Sequence, residues 1–149
     1  MRFDLRILSS ETEIRNGTVK LNTADFVANS LTDDAPYVAV FLPGGHGAML
    51  GLPGNSDLGE LLRWAHGRGD IFTLAICHGP AALLAAAVDQ QGKDFIYDGY
   101  RIAAFPDSVD KQTPMIGYMP GHMPWKYGER LQELGGNSIA SKRTPKSSS

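Results

Sequence analysis

The side chains best able to do chemistry sit in three short stretches of the 149-residue chain. The first is Leu74-Ala75-Ile76-Cys77-His78-Gly79-Pro80. A small residue two before a cysteine and a glycine two after it permit the sharp strand-to-helix turn that holds a nucleophile above a sheet. Pro80 suits the first turn of the helix that follows. A thiol at such a place faces oriented N–H groups and the positive end of a helix dipole, both of which favour a thiolate. On residue type alone, a free cysteine is more often a small buried apolar filler. The Cys-His-Gly-Pro turn between a strand and a helix reverses that preference.

The second stretch is Phe41-Leu42-Pro43-Gly44-Gly45-His46-Gly47. Consecutive glycines at a strand end let backbone amides approach a ligand oxygen. The amides of Gly45 and His78 can then form an oxyanion hole, with Gly44 giving the close approach. A plain Pro-Gly-Gly turn is the simpler reading of these residues in isolation. The third stretch is Phe105-Pro106-Asp107-Ser108-Val109-Asp110. Either carboxylate can orient an imidazole or cap a helix, and the sequence favours neither use. Of the other histidines, His66 reads as a surface residue at a helix end and His122 as part of a loop. No histidine pair has zinc-site spacing, so neither a metal nor a cofactor is expected.

The elements that must position these residues follow from the apolar pattern. Leu21, Phe26, Val27 and Leu31 predict a helix over Leu21 to Leu31, capped by Asn22 or Thr23. Tyr37 to Leu42 and Ile71 to Ile76 are short apolar runs bounded by turn residues and read as buried parallel strands. Leu58, Leu61, Leu62 and Ala65 line one face of a helix from Asp57 to His66, stopped by Gly67. An alanine-rich helix is expected from Ala81 to Val88. Phe95 to Tyr97 and Tyr100 to Phe105 flank Asp98-Gly99, which predicts a hairpin or a tight connection. Pro106 to Pro124 reads as a long structured loop, and Trp125 to Leu134 as a helix ended by Gly135-Gly136. Strands alternating with helices imply an α/β domain with a mostly parallel sheet.

With hydrophobic residues at 42%, charged residues at 20% and a net charge of −2, the chain reads as one ordinary globular domain over residues 1–140. The weak charge gives no reason to expect nucleic acid or a membrane surface as partner. Lys142, Arg143 and Lys146 lie in a polar tail, 141–149, expected to be disordered. The charged N-terminus does not resemble a signal peptide, and no apolar run is long enough to span a membrane. One cysteine excludes an internal disulfide and fits a reducing cytoplasm.

The blocks FLPGGHGAMLGLP (Phe41 to Pro53), CHGPAALLA (Cys77 to Ala85) and AAFPDSVDKQTPMIGYMPGH (Ala103 to His122), with the W-x-x-G-E-x-L that follows, resemble the glyoxalase III and chaperone branch of the PfpI superfamily. That superfamily includes the parkinsonism protein DJ-one. The resemblance runs from about Leu21 to Asn137. It implies a flavodoxin-like three-layer sandwich, with Cys77 as nucleophile, His78 as its neighbour and Asp110 as the acid of a triad. The implied reaction is conversion of methylglyoxal, a small α-oxoaldehyde, to lactate without glutathione. Deglycation and holdase chaperoning belong to the same resemblance, and a cysteine peptidase or amidase is a more distant alternative.

The family's proton-transferring glutamate and its metal ligands fall in a region with no counterpart here. Glu11 and Glu13 lie in unmatched sequence. Neither the family's first strand nor its closing helix is evident in this sequence. The resemblance therefore implies an incomplete fold, an internal piece of a longer protein. It implies exposed apolar faces, association into a homodimer or higher oligomer, and little or no glyoxalase turnover by this chain alone.

Overall fold

The structure, a computed structural model, describes residues 6–9, 13–15, 18–90, 95–112, 114–115 and 125–140. Its strands form three sets. β1 (Arg6–Ser9) pairs in parallel with β3 (Thr18–Asn22), and β2 (Glu13–Arg15) pairs antiparallel on the other side of β3. Leu21, expected in a helix, belongs to β3. Val19 and Leu21 alternate with Thr18, Lys20 and Asn22, which is the period of a strand. The helix begins only afterwards, as α1 (Thr23–Ser30). These strands lie almost wholly ahead of the stretch that carries the resemblance, where the family's first strand was not evident from sequence.

β4 (Ala39–Leu42) and β5 (Phe72–Ala75) pair in parallel, with Ala39 opposite Phe72 and Leu42 opposite Ala75. A parallel pair needs a crossover, and α2 (Ser56–Arg68) supplies it. The Asn55 side chain caps α2 by accepting from the Leu58 amide at 2.7 Å. Gly67 does not stop the helix. Gly69 does, at φ 68°, because it takes up the left-handed conformation that closes a C-terminus.

Leu58, Leu61, Leu62 and Ala65 are all buried, as their spacing predicts. They pack on the alanine-rich helix expected from sequence, which spans Gly79–Ala87 and winds as a 3-10 helix. Its bonds run three residues back, as from Val88 N to Ala85 O at 3.0 Å. Alanine side chains are short enough to eclipse at that spacing without collision.

β6 (Arg101–Ala104) pairs in parallel with β7 (Asn137–Ala140), so Asp98-Gly99 is a tight connection and not a hairpin tip. Gly99 sits at φ 74°, and Tyr100 N donates to Tyr97 O at 3.1 Å. Two helices complete the path, the single turn α3 (Asp107–Asp110) and α4 (Tyr127–Glu133). Beyond α4, Gly136 N returns to Leu131 O at 2.9 Å with Gly135 at φ 91°, the glycine stop expected from sequence. The core joins Phe26, Leu42, Leu62, Ala82, Ile102 and Leu131.

The arrangement is a mixed α/β fold of flavodoxin type with parallel strand pairs. Among the described residues no helix is long and apolar enough to cross a membrane. The expected disordered tail, 141–149, and most of the Pro106–Pro124 loop lie outside the described residues, as does His122.

Candidate functional site

Cys77 lies two residues beyond the end of β5 and carries φ 56°, one of two non-glycine residues described in the positive-φ region. Holding a side chain there costs of order 1–3 kcal/mol, so the surroundings must impose it. Several contacts do so. A Cβ on Gly44 would lie 2.7 Å from Cys77 Cβ and 2.9 Å from Ile76 O. Only glycine lets the end of β4 pass the turn so closely. A Cβ on Gly79 would meet the Leu42 carbonyl oxygen at a distance no real pair adopts.

Backbone bonds fix the turn from three directions. Ile76 N donates to Leu42 O at 3.3 Å, Gly79 N to Ile76 O at 2.8 Å, and Phe105 N to Cys77 O at 3.3 Å. The buried Tyr127 hydroxyl lies 2.9 Å from Phe105 O and 3.2 Å from Cys77 O. Burial pushes its ionisation well above the ordinary tyrosine range. The hydroxyl therefore stays a donor at any working pH. Sequence reading missed Tyr127, and nothing in its WKYGER setting sets it apart from a core tyrosine.

Cys77 is exposed, whereas His78 and Asp110 are 2% and 4% exposed. His78 Nδ1 lies 3.2 Å from Cys77 Sγ, and its Nε2 lies 2.8 Å from Asp110 Oδ2. A neutral imidazole carries one N–H, and an ionised carboxylate only accepts. The proton therefore belongs on Nε2, which leaves the Nδ1 lone pair facing the thiol. Phe105 packs on the imidazole with ring centroids 4.8 Å apart. Of the three residues expected to work together, all three meet.

The two aspartates of the third stretch divide the two uses that the sequence left open. Asp110 goes to the histidine. Asp107 accepts from the amides of Gly128 and Glu129 and so caps α4 from outside it. Burial raises the ionisation of Asp107, and those two amides partly offset the rise. Gly128 is needed there, because a Cβ would lie 2.8 Å from Asp107 Oδ2.

Of the glycine pair, the Gly44 backbone lies against the cysteine turn, and Gly45 follows it at φ 99°. Among the described residues neither the Gly45 nor the His78 amide donates to another backbone group. His46, left without a role by the sequence, lies with Nε2 3.4 Å from Asp110 Oδ1 and its ring centroid 4.3 Å from that of His78. Its one sequence signal is its place directly after the glycine pair. His66, exposed, meets the Tyr100 hydroxyl at 3.0 Å and takes no part in the site. A hollow lined by Phe105, Pro106, Asp107, Gly128 and Gln132 excludes Cys77 and His78.

Two proteins named protein/nucleic acid deglycase HchA, from Escherichia coli O7:K1 and from Shigella flexneri, are each 52% identical to this chain over 116 residues. The match covers 78% of this chain and 39% of theirs, so the chain spans about two fifths of the length of these curated relatives. Their name includes nucleic acid, a partner that the weak charge of this chain gave no reason to expect. A protein solved by crystallography has the same fold, at 28% identity and a TM-score of 0.58, covering 88% of this chain and 51% of that one. No family model matches the sequence.

Proposed function

This chain belongs to the HchA branch of the PfpI superfamily, and from that premise we propose that Cys77 is the nucleophile of a glyoxalase III or deglycase chemistry on small α-oxoaldehydes and their adducts. The single observation that carries the reading is the unbroken path from Cys77 Sγ through His78 to Asp110, at 3.2 and 2.8 Å. Asp110 keeps the His78 proton on Nε2, and Nδ1 takes the thiol proton. The thiolate adds to the aldehyde carbon and gives a hemithioacetal. Its developing oxyanion is received by the amides of Gly45 and His78. A proton then moves from the former aldehyde carbon to the neighbouring carbon through an enediolate, leaving a thioester. Water cleaves the thioester to the 2-hydroxy acid and returns the thiol. The exposed cysteine sits at a nucleophile elbow open to solvent, which suits a small diffusible substrate. A reducing cytoplasm is the compartment that keeps this thiol free.

The test is protection combined with turnover. Methylglyoxal should slow alkylation of Cys77 by iodoacetamide, and the little lactate expected from the parent chain, whose sequence has no match for the family's proton-transferring glutamate, should vanish in Cys77→Ala. Unprotected Cys77, or lactate formed equally by Cys77→Ala, would sink the reading.

A second reading has its own observation. Phe41, Phe72 and Leu74 form an apolar face that is more than half exposed, and such a face can hold unfolded clients as a holdase does. Suppression of client aggregation should survive Cys77→Ser, whereas lactate formation should not.

A further inference from the structure

We propose that His46, His78 and Asp110 form a binding site for a late first-row divalent ion, with Zn2+ the reference case, and that the ion silences the thiol. One donor atom from each of the three residues lies within 4.8 Å of the others. Two imidazoles and one carboxylate are a donor set that suits zinc, and three protein ligands leave one position for water. The residues come from three elements: the 3-10 turn His46–Met49, the turn after β5, and the end of α3. No sequence spacing could therefore reveal them.

Access and orientation both fit. The His46 side chain is 26% exposed, against 2% for His78 and 6% for Asp110. An ion enters over His46 and settles on a buried floor. The other nitrogen of His78 is already engaged with Cys77 Sγ at 3.2 Å, which fixes the ring as an outer-shell partner does. Asp107 adds negative charge beside Asp110. This site differs from the metal ligands implied by the family resemblance, which fall in a region without a counterpart in this sequence.

The consequence for the thiol follows from proton placement. The ion takes the position of the proton between His78 Nε2 and Asp110 Oδ2, and that single imidazole proton is carried through solvent to Nδ1. There it points at sulfur. A ring in that state cannot accept the thiol proton, so the base is lost while the ion is bound.

The experiment is a Zn2+ titration of the full chain in competition with a chromophoric chelator, for the parent, His46→Ala, His46→Asp and Cys77→Ser. One ion per chain is expected. Removing a direct ligand in His46→Ala should weaken binding by at least ~10-fold, the lower end of the loss seen even for outer-shell changes. His46→Asp keeps a donor and should recover much of the affinity, which separates ligation from misfolding. Cys77→Ser should bind within about threefold of the parent, a difference below 1 kcal/mol. Saturating Zn2+ should slow Cys77 alkylation, with recovery on adding a chelator. No bound ion, or binding lost in Cys77→Ser and kept in His46→Ala, overturns the proposal. Because the titration needs no aldehyde, its failure is distinct from failure of the proposed enzymatic chemistry.

Discussion

The two faces of the β4–β5 pair are made of similar residues and have opposite surroundings. On one face Val40 and Leu42 pack into the core beneath α2. On the other, Phe41, Phe72 and Leu74 are 57%, 71% and 51% exposed. The register explains the division, since Phe41 stands opposite Leu74 and Ala39 opposite Phe72 on a common side. An apolar run therefore specifies a strand and the depth of its preferred surroundings. It does not supply the element that covers it. Both strands read as buried from sequence, and within the described residues only one face is.

The sharpest way to break this contrast is to crowd the covered side where it meets the cysteine turn. Gly79→Ala puts a Cβ against the Leu42 backbone, which cannot swing aside as a side chain can. Overpacking of this kind costs about 1–3 kcal/mol, and the altered turn should abolish rapid alkylation of Cys77. Denaturant unfolding and alkylation kinetics check both parts. An unchanged midpoint would mean that the covered side is looser than its contacts imply.

A second change is subtler. Tyr127→Phe removes the hydroxyl beside Phe105 O and Cys77 O while keeping the ring packed. The carbonyl it leaves without that donor should cost roughly 1–3 kcal/mol, read again from denaturant unfolding. The smallest effect is expected on the bare face. Phe72→Gln and Leu74→Gln should each move stability by no more than about 0.5 kcal/mol, as exposed substitutions do. They should also reduce self-association in sedimentation. A loss as large as that of Gly79→Ala would show that this face is covered in solution, and would erase the comparison.

Much of the site was legible because its residues are neighbours in sequence. Cys77 and His78 are adjacent, and small residues around a strand-end cysteine have few other uses. By residue type Asp110 was one of two candidates, and the family resemblance singled it out. Asp107 and Asp110 stand three residues apart on nearly the same side of α3, so which one reaches the histidine depends on how that short helix packs against the cysteine turn. The α2 face was read correctly from its period, while its end was misplaced. Gly67 and Gly69 are equally good stops by residue type, and only Gly69 adopts the left-handed conformation. The hairpin alternative at Asp98-Gly99 failed because β6 finds its parallel partner in β7, more than thirty residues on.

Local chemistry and its order along the chain were thus determined by the sequence itself: a thiol after a strand, glycines at the end of another, and a histidine beside the sulfur. These depend on bonds between near neighbours and on steric rules that hold for any short peptide. The tertiary structure alone decided that His46 joins the His78–Asp110 pair, that Tyr127 braces the cysteine carbonyl, and that, among the described residues, one face of the β4–β5 pair is exposed. Each of those outcomes depends on packing between elements far apart in the chain, where periodicity and residue type carry no information about distance.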